Sequence, residues 1–291
     1  MATSHPNGQV RFVAASGAGA FTGRGWWWEH ILHWLGLFDM GLFEAVVLKT
    51  LTFKPRKGNL SLWQPWRCIR LIWDGILNAV GLTNPGVVWF CREIVPRLDS
   101  IGVPLVVSLL GTPREIVQMI RMIDDLRCPR IVGYDINASC PNSGEDISAN
   151  ADEVIEACRQ ARRATRLTIW LKLSVVHRRN LERIIKSTEA WVECYTINSV
   201  PWAVYSNEKS PLAHLGGGGV SGRAAQPHTW PFAKEIIAIT KREVVWSSAC
   251  DYHDLERIVE QGGKVVAFGA AFIPFSWRPT VMIRRWKREH T

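Results

Sequence analysis

The sequence has no CxxC pair and no cysteine/histidine set with the spacing of a zinc or iron–sulfur site. Its seven cysteines (68, 91, 128, 140, 158, 194, 250) are odd in number and scattered, which favours free thiols in a reducing, cytoplasmic compartment over a disulfide framework. No uninterrupted apolar stretch approaches the roughly 18 residues of a membrane span. The first fifteen residues lack a basic start followed by an apolar core, so no secretory signal is expected. Nor do the cations cluster, apart from Arg284-Arg285-Trp286-Lys287-Arg288. The net charge of +9 therefore reads first as a solvated basic surface, and no nucleic-acid partner is expected.

The chain of 291 residues is 47% hydrophobic and 21% charged, an ordinary globular balance with ample apolar content for a core. Apolar runs at 10–15, 45–49, 104–108, 131–137, 168–173, 193–198, 243–247 and 264–268 predict eight strands. Several are near-continuous Val/Ile/Leu runs, the pattern of parallel strands buried on both faces. Between them, segments 113–127, 151–164, 180–191, 230–241 and 254–262 repeat apolar residues every three or four positions, as Ile116, Met119, Ile120 and Ile123 do. Strands alternating with helices are βαβ units, and eight of them favour a closed (β/α)8 barrel in one domain spanning 1–291.

Such barrels keep their chemistry at the C-terminal ends of the strands. Those ends read Ser16, Lys49, Ser108, Asn137, Lys172, Asn198, Ser247 and Gly269, nearly all polar or glycine. The fourth strand opens directly into Asn137-Ala138-Ser139-Cys140-Pro141-Asn142, a thiol flanked by carboxamides that offer both donors and acceptors. A thiol on a loop there can serve as base or nucleophile. The longest insertion, 58–102, is dense in Asn, Gly and Pro and reads as an irregular loop of the kind that forms lids.

Taken in order, several motifs resemble the dihydroorotate dehydrogenase family, FMN-dependent (β/α)8 barrels of pyrimidine biosynthesis. They are Ala14-Ala15-Ser16-Gly17, Leu48-Lys49-Thr50-Leu51-Thr52 with Arg56-Lys57-Gly58-Asn59, and Leu77-Asn78-Ala79-Val80-Gly81-Leu82. Residues 137–142, the strand ending in Lys172, Ile197-Asn198-Ser199, Gly218-Gly219-Val220-Ser221-Gly222 and Phe268-Gly269-Ala270-Ala271 complete the set, which spans nearly the whole chain.

The resemblance implies roles by position. Cys140 falls where soluble members carry the base that takes a proton from C5 of dihydroorotate while C6 passes a hydride to N5 of FMN. Lys49 is implied beside the substrate carboxylate and the flavin. Asn78, Val80, Gly81, Leu82, Asn137, Asn142, Asn198 and Ser199 are implied around the pyrimidine. Ala15, Ser16, Gly17, Lys49, Thr50, Ser108, Asn137, Lys172, Ile197, Gly219, Gly222, Ser248, Ala249, Gly269 and Ala270 are implied around FMN, with Lys172 near N1 and O2. No metal is expected. The partners implied are dihydroorotate and orotate, with a homodimer or a separate electron-transfer subunit; the electron acceptor stays open among fumarate, NAD through such a subunit, and quinone. The alternatives are a related flavin barrel acting on another pyrimidine or on uridine in RNA, and a barrel that has lost FMN and serves as a binding module.

Three segments depart from the family pattern. Trp246-Ser247-Ser248-Ala249-Cys250 stands where a Gly-Gly pair usually meets the FMN phosphate, and Leu60-Ser61-Leu62-Trp63 replaces a Pro-rich segment. The third is Trp26-Trp27-Trp28 and the apolar stretch through Phe43, in a chain with fifteen tryptophans. Trp27, Ile31, Trp34, Leu35, Phe38 and Leu42 fit one helix face, expected to bury against the barrel or a partner, with contact at a membrane interface as the other use.

Overall fold

The computed structural model describes residues 10–61, 63–138, 150–273 and 275–290. Its strands are β1 (Arg11–Ala14), β2 (Ala45–Val47), β3 (Ile69–Ile72), β4 (Gly75–Asn78), β5 (Leu105–Leu109), β6 (Ile131–Asn137), β7 (Thr168–Leu173), β8 (Cys194–Ile197), β9 (Val200–Pro201), β10 (Gly219–Gly222), β11 (Glu243–Trp246) and β12 (Val265–Phe268). Its helices are α1 (His30–Trp34), α2 (Gly86–Trp89), α3 (Pro113–Asp124), α4 (Ala151–Ala164), α5 (Leu181–Thr188), α6 (Trp202–Tyr205), α7 (Gln226–Ile239), α8 (Tyr252–Glu260) and α9 (Arg278–His290).

Eight parallel strands close in the order β1-β12-β11-β8-β7-β6-β5-β2, the barrel that the apolar runs predict. The side-chain period of two sorts each strand into an inner and an outer set. Val13, Ala45, Val47, Val106, Cys194, Val245, Val265 and Ala267 pack together inside the barrel, with Val132 and Trp170 against them. The alternate residues, among them Phe12, Val46, Val107, Tyr134, Leu171, Tyr195, Val266 and Phe268, belong to the larger cluster shared with the helices. Both faces of every barrel strand are thus buried, which is why the strands read as continuous apolar runs rather than alternating ones.

The helices begin where local chemistry satisfies their first amides. Thr112 and Glu115 form a capping box at the start of α3, and Ile116, Met119, Ile120 and Ile123 bury its inner face. Asn150 caps α4 and Asp251 caps α8. Helix α7 begins four residues before the apolar periodicity suggests, because Pro227 is compatible with a helix's first turn.

Two expectations are corrected. The insertion 58–102 is not simply irregular, because β3 and β4 form a hairpin in it. Its two-residue turn is Trp73-Asp74, and Asp74 takes a left-handed φ of 55°. The hairpin continues into a four-stranded antiparallel sheet, β3-β4-β10-β9. Both excursions leave from the C-terminal ends of barrel strands, so this small sheet belongs to that end of the barrel.

The second correction concerns the tryptophan-rich segment. It does not form one helix to Phe43, because the chain leaves α1 at Leu35 and turns at Gly36, whose φ is 68°. Trp27, Ile31, Trp34 and Leu35 are exposed, Trp34 by 83%, rather than buried against the barrel. Phe38, Met40 and Phe43 are the residues that anchor the segment, with Phe38 and Phe43 packed on Phe272. No described helix is long and apolar enough to cross a membrane.

Candidate active site

Above the apolar filling of the barrel, the inward positions turn polar. Continuing the alternation of Val13, Val47, Val106, Trp170, Val245 and Ala267 leads to Ala15, Lys49, Ser108, Lys172, Ser247 and Gly269, most of the strand ends singled out in the sequence. Asp135 and Asn137 on β6 and Thr196 on β8 join the same layer.

These groups form a connected network. Ser16 Oγ donates to the Leu48 carbonyl at 3.0 Å and lies 3.2 Å from Thr50 Oγ1. Thr50 Oγ1 is 3.0 Å from Ser108 Oγ, and Lys172 Nζ donates to Ser108 Oγ at 3.5 Å. Lys172 also forms an ion pair with the wholly buried Asp135, whose other oxygen accepts from Thr196 Oγ1 at 3.1 Å. Asn137 Nδ2 donates to Thr50 Oγ1, and Asn198 Nδ2 donates to Asn137 Oδ1, each at 3.5 Å. Asn198 Oδ1 accepts from the Ser199 amide at 2.9 Å, which orients the Asn-Ser pair. Carboxamides, hydroxyls and one ammonium therefore converge on the mouth of the barrel, an inventory suited to a planar ring rich in amide groups.

The small sheet brings up the remaining carboxamide. Asn78 closes β4, and its Nδ2 donates to the Gly219 carbonyl at 3.3 Å. Gly218, at φ 85°, permits this approach: a Cβ there would sit 2.7 Å from the Asn78 carbonyl oxygen. The following loop through Val80, Gly81 and Leu82 is pinned by Asn84. The Asn84 side chain accepts from the amides of Thr52 and Gly86 and donates to the Leu82 carbonyl at 2.7 Å. Neither Thr52 nor Asn84 stood out as a site residue in the sequence, although Asn84-Pro85-Gly86 is a turn signal.

At the other end of β10, Gly222 comes close to Ala270, and Gly269 comes close to Ala15. A Cβ on Gly222 would lie 3.6 Å from that of Ala270, and one on Gly269 would lie 3.2 Å from that of Ala15. Ser248 takes a left-handed φ of 71°, held by Thr229 Oγ1 on its hydroxyl and Gln226 Nε2 on its carbonyl. Beside it Ser247 Oγ is buried without a hydrogen-bond partner among the described residues. Ala249 is buried, as is Ile197 at the end of β8.

Cys140 and Asn142 lie outside the described residues, so the site is built without them. The six described cysteines carry free thiols. Burial pushes all six above the usual thiol range, to about 11 for Cys91 and Cys250 and about 12 for Cys158. A thiol that resists ionisation is a poor base, which agrees with reading these six as structural. Among the described residues no group of three or more His, Cys, Asp or Glu could hold a metal.

Comparison with known proteins agrees with the geometry. The dihydroorotate dehydrogenase family profile matches residues 25–246. The chain is 35% identical over 242 residues to the dihydroorotate dehydrogenase B (NAD(+)) catalytic subunit of Desulforudis audaxviator, covering 80% of this chain and 76% of that one. It is 28% identical over 244 residues to the dihydroorotate dehydrogenase A (fumarate) of Lactobacillus delbrueckii subsp. bulgaricus, covering 80% and 77%. In fold it is similar to the ligand-free dihydroorotate dehydrogenase of Eimeria tenella, with a TM-score of 0.64 at 15% identity, covering 84% of this chain and 76% of that one. A shared profile over most of the chain, on a parallel barrel with a polar layer at its C-terminal mouth, means that the chain belongs to the dihydroorotate dehydrogenase family.

Proposed function

We propose that this chain oxidises dihydroorotate to orotate, a step of pyrimidine biosynthesis leading to UMP, and that it works as a single FMN-binding unit. The observation that carries the reading is the convergence of Lys172, Ser108, Thr50, Asn137 and Asn198 on one mouth of the barrel. The residues present fit FMN. Ser247 Oγ is a buried hydroxyl without a partner among the described residues, next to the left-handed turn at Ser248. When bound, FMN supplies the acceptor for the hydride from C6 of dihydroorotate.

The chain's own residues then divide the remaining work. Lys172 holds positive charge at the inner edge of the site, where the electron-rich side of the cofactor's pyrimidine would lie. Ser16, Thr50 and Ser108 offer hydroxyls around it, and Ser247, Ser248 and Ala249 with Gly219, Gly222, Gly269 and Ala270 would hold the phosphate end. Asn78, Asn137, Asn142, Asn198 and Ser199 would match the donors and acceptors of the substrate ring, and Lys49 its carboxylate. Val80, Gly81 and Leu82 would cover the ring from the loop after β4. Cys140 would accept the proton from C5; a positioned base is worth about 10²–10⁴-fold in rate.

Free thiols favour a cytoplasmic setting. The relatives include a B-type catalytic subunit and a fumarate-type enzyme, so the second half-reaction would use either a separate electron-transfer subunit or a soluble acceptor.

The test is an anaerobic visible spectrum of the protein incubated with FMN, before and after dihydroorotate is added. Bleaching of a protein-bound flavin band is expected. A bound flavin that does not bleach would remove dihydroorotate as the substrate, and absence of bound flavin would remove the oxidoreductase reading.

A further inference from the structure

Among the described residues of the inward layer that holds Lys49, Ser108, Asn137, Lys172, Thr196 and Asn198, Asp135 is the one acidic residue. Its Cα is in register with Ser108 on β5 and Trp170 on β7, one inward step below Asn137. Its carboxylate has no solvent exposure, and Thr196 Oγ1 and Lys172 Nζ bind it from two sides. An ammonium placed alone inside this barrel would lose its hydration without compensation, so the pair makes Lys172 tolerable there. The pairing also has an electrostatic consequence. A cation with its counterion beside it acts outward as a dipole, and in a low-dielectric interior the difference from a lone charge is large.

We propose that Asp135 is a positioning residue that anchors the Lys172 ammonium from below and offsets its charge, thereby setting how strongly Lys172 favours the reduced state of a bound flavin. The inference rests on the FMN reading above and adds to it a residue that touches neither cofactor nor substrate. Asp135 acts through Lys172. Ser108 Oγ accepts from the same Nζ at 3.5 Å and is a second partner of the ammonium.

The experiment is a midpoint-potential titration of the FMN-loaded protein as wild type, Asp135→Asn, and the double variant Asp135→Asn/Lys172→Gln. Asp135→Asn keeps the shape and the acceptor for Thr196 but leaves the ammonium uncompensated, so its potential is expected to shift upward. The double variant replaces the ion pair, outward dipole included, by a neutral pair, and its potential is expected to fall back from that of Asp135→Asn to the wild-type value or slightly below it. A bound flavin in Asp135→Asn that titrates at the wild-type potential overturns the proposal, because a purely structural carboxylate would give that result. Should the single variant not fold, the double variant, with no lone buried charge, decides alone. A potential at or slightly below the wild-type value supports compensation, and a large fall shows that Lys172 acts unopposed and overturns it. Wild-type protein that binds no FMN overturns this inference and the proposed function together, whereas bound FMN with the wrong order of potentials overturns this inference only.

Discussion

Asn137 Nδ2 donates to Thr50 Oγ1 at 3.5 Å, tying the end of β6 to the segment after β2 although 87 residues separate them. Asn137 Oδ1 in turn accepts from Asn198, so one carboxamide links three strand ends. Asn137→Ala is expected to remove both links and to weaken orotate binding by about 1–3 kcal/mol. Titration of the bound flavin's absorbance with orotate measures this; unchanged affinity removes Asn137 from the substrate contacts.

Cys140→Ser is expected to slow flavin reduction by dihydroorotate by about 10²–10⁴-fold while leaving FMN bound. Stopped-flow reduction under anaerobic conditions gives the rate and the starting spectrum gives the occupancy. A variant reduced at the wild-type rate would show that the proton leaves by another route.

Gly218→Ala places a methyl 2.7 Å from the Asn78 carbonyl oxygen and asks a non-glycine residue to hold a φ of 85°. Backbone strain of this kind costs about 1–3 kcal/mol. The expected outcome is a lower melting temperature together with a raised KM for dihydroorotate, because Asn78 must move. A fall in stability with KM unchanged would separate Asn78 from substrate binding.

Two residues of the tryptophan-rich segment should respond very differently. Phe38 is 1% exposed against Phe272, and Phe38→Ala is expected to cost about 3–5 kcal/mol in denaturant unfolding. Trp34 is 83% exposed, and Trp34→Ser is expected to change stability by no more than about 0.5 kcal/mol. A large loss at Trp34 would mean that its indole is covered in solution.

Glu29 fixes the same segment by accepting from the Trp26 amide at 2.8 Å and from Ser276 Oγ at 2.5 Å. Burial raises its pKa above the ordinary 4.5, and the hydrogen bonds from Ser276 and Trp26 offset this only in part. The folded state therefore holds this proton more tightly than the unfolded chain does. The stabilisation is full below 4.5 and is lost as the pH rises through the folded value. Glu29→Gln abolishes that dependence. The stability of wild type relative to the variant is expected to decline as pH rises from 4.5 toward neutrality, read from denaturant melts at a series of pH values.

Much of this molecule was legible in its sequence for a definite physical reason. Strands buried on both faces must be apolar at nearly every position, so the eight barrel strands announce themselves, and helices such as α3 and α4 show their single buried stripe. Because inward and outward positions alternate strictly, the polar residue that ends each run is carried to the mouth of the barrel. Lys49, Ser108, Asn137 and Lys172 could therefore be named from the chain alone. What the tertiary structure decided depends on partners distant in sequence. β9 and β10 are too short to show a pattern, and they exist as strands because β4 pairs with β10. Asp135 sits within an apolar strand and gains its meaning only when β7 and β8 bring Lys172 and Thr196 against it. Periodicity shows which side of α1 is apolar but not what covers it, and the turn at Gly36 leaves Trp27, Ile31 and Trp34 facing outward while Phe38 and Phe43 reach the core.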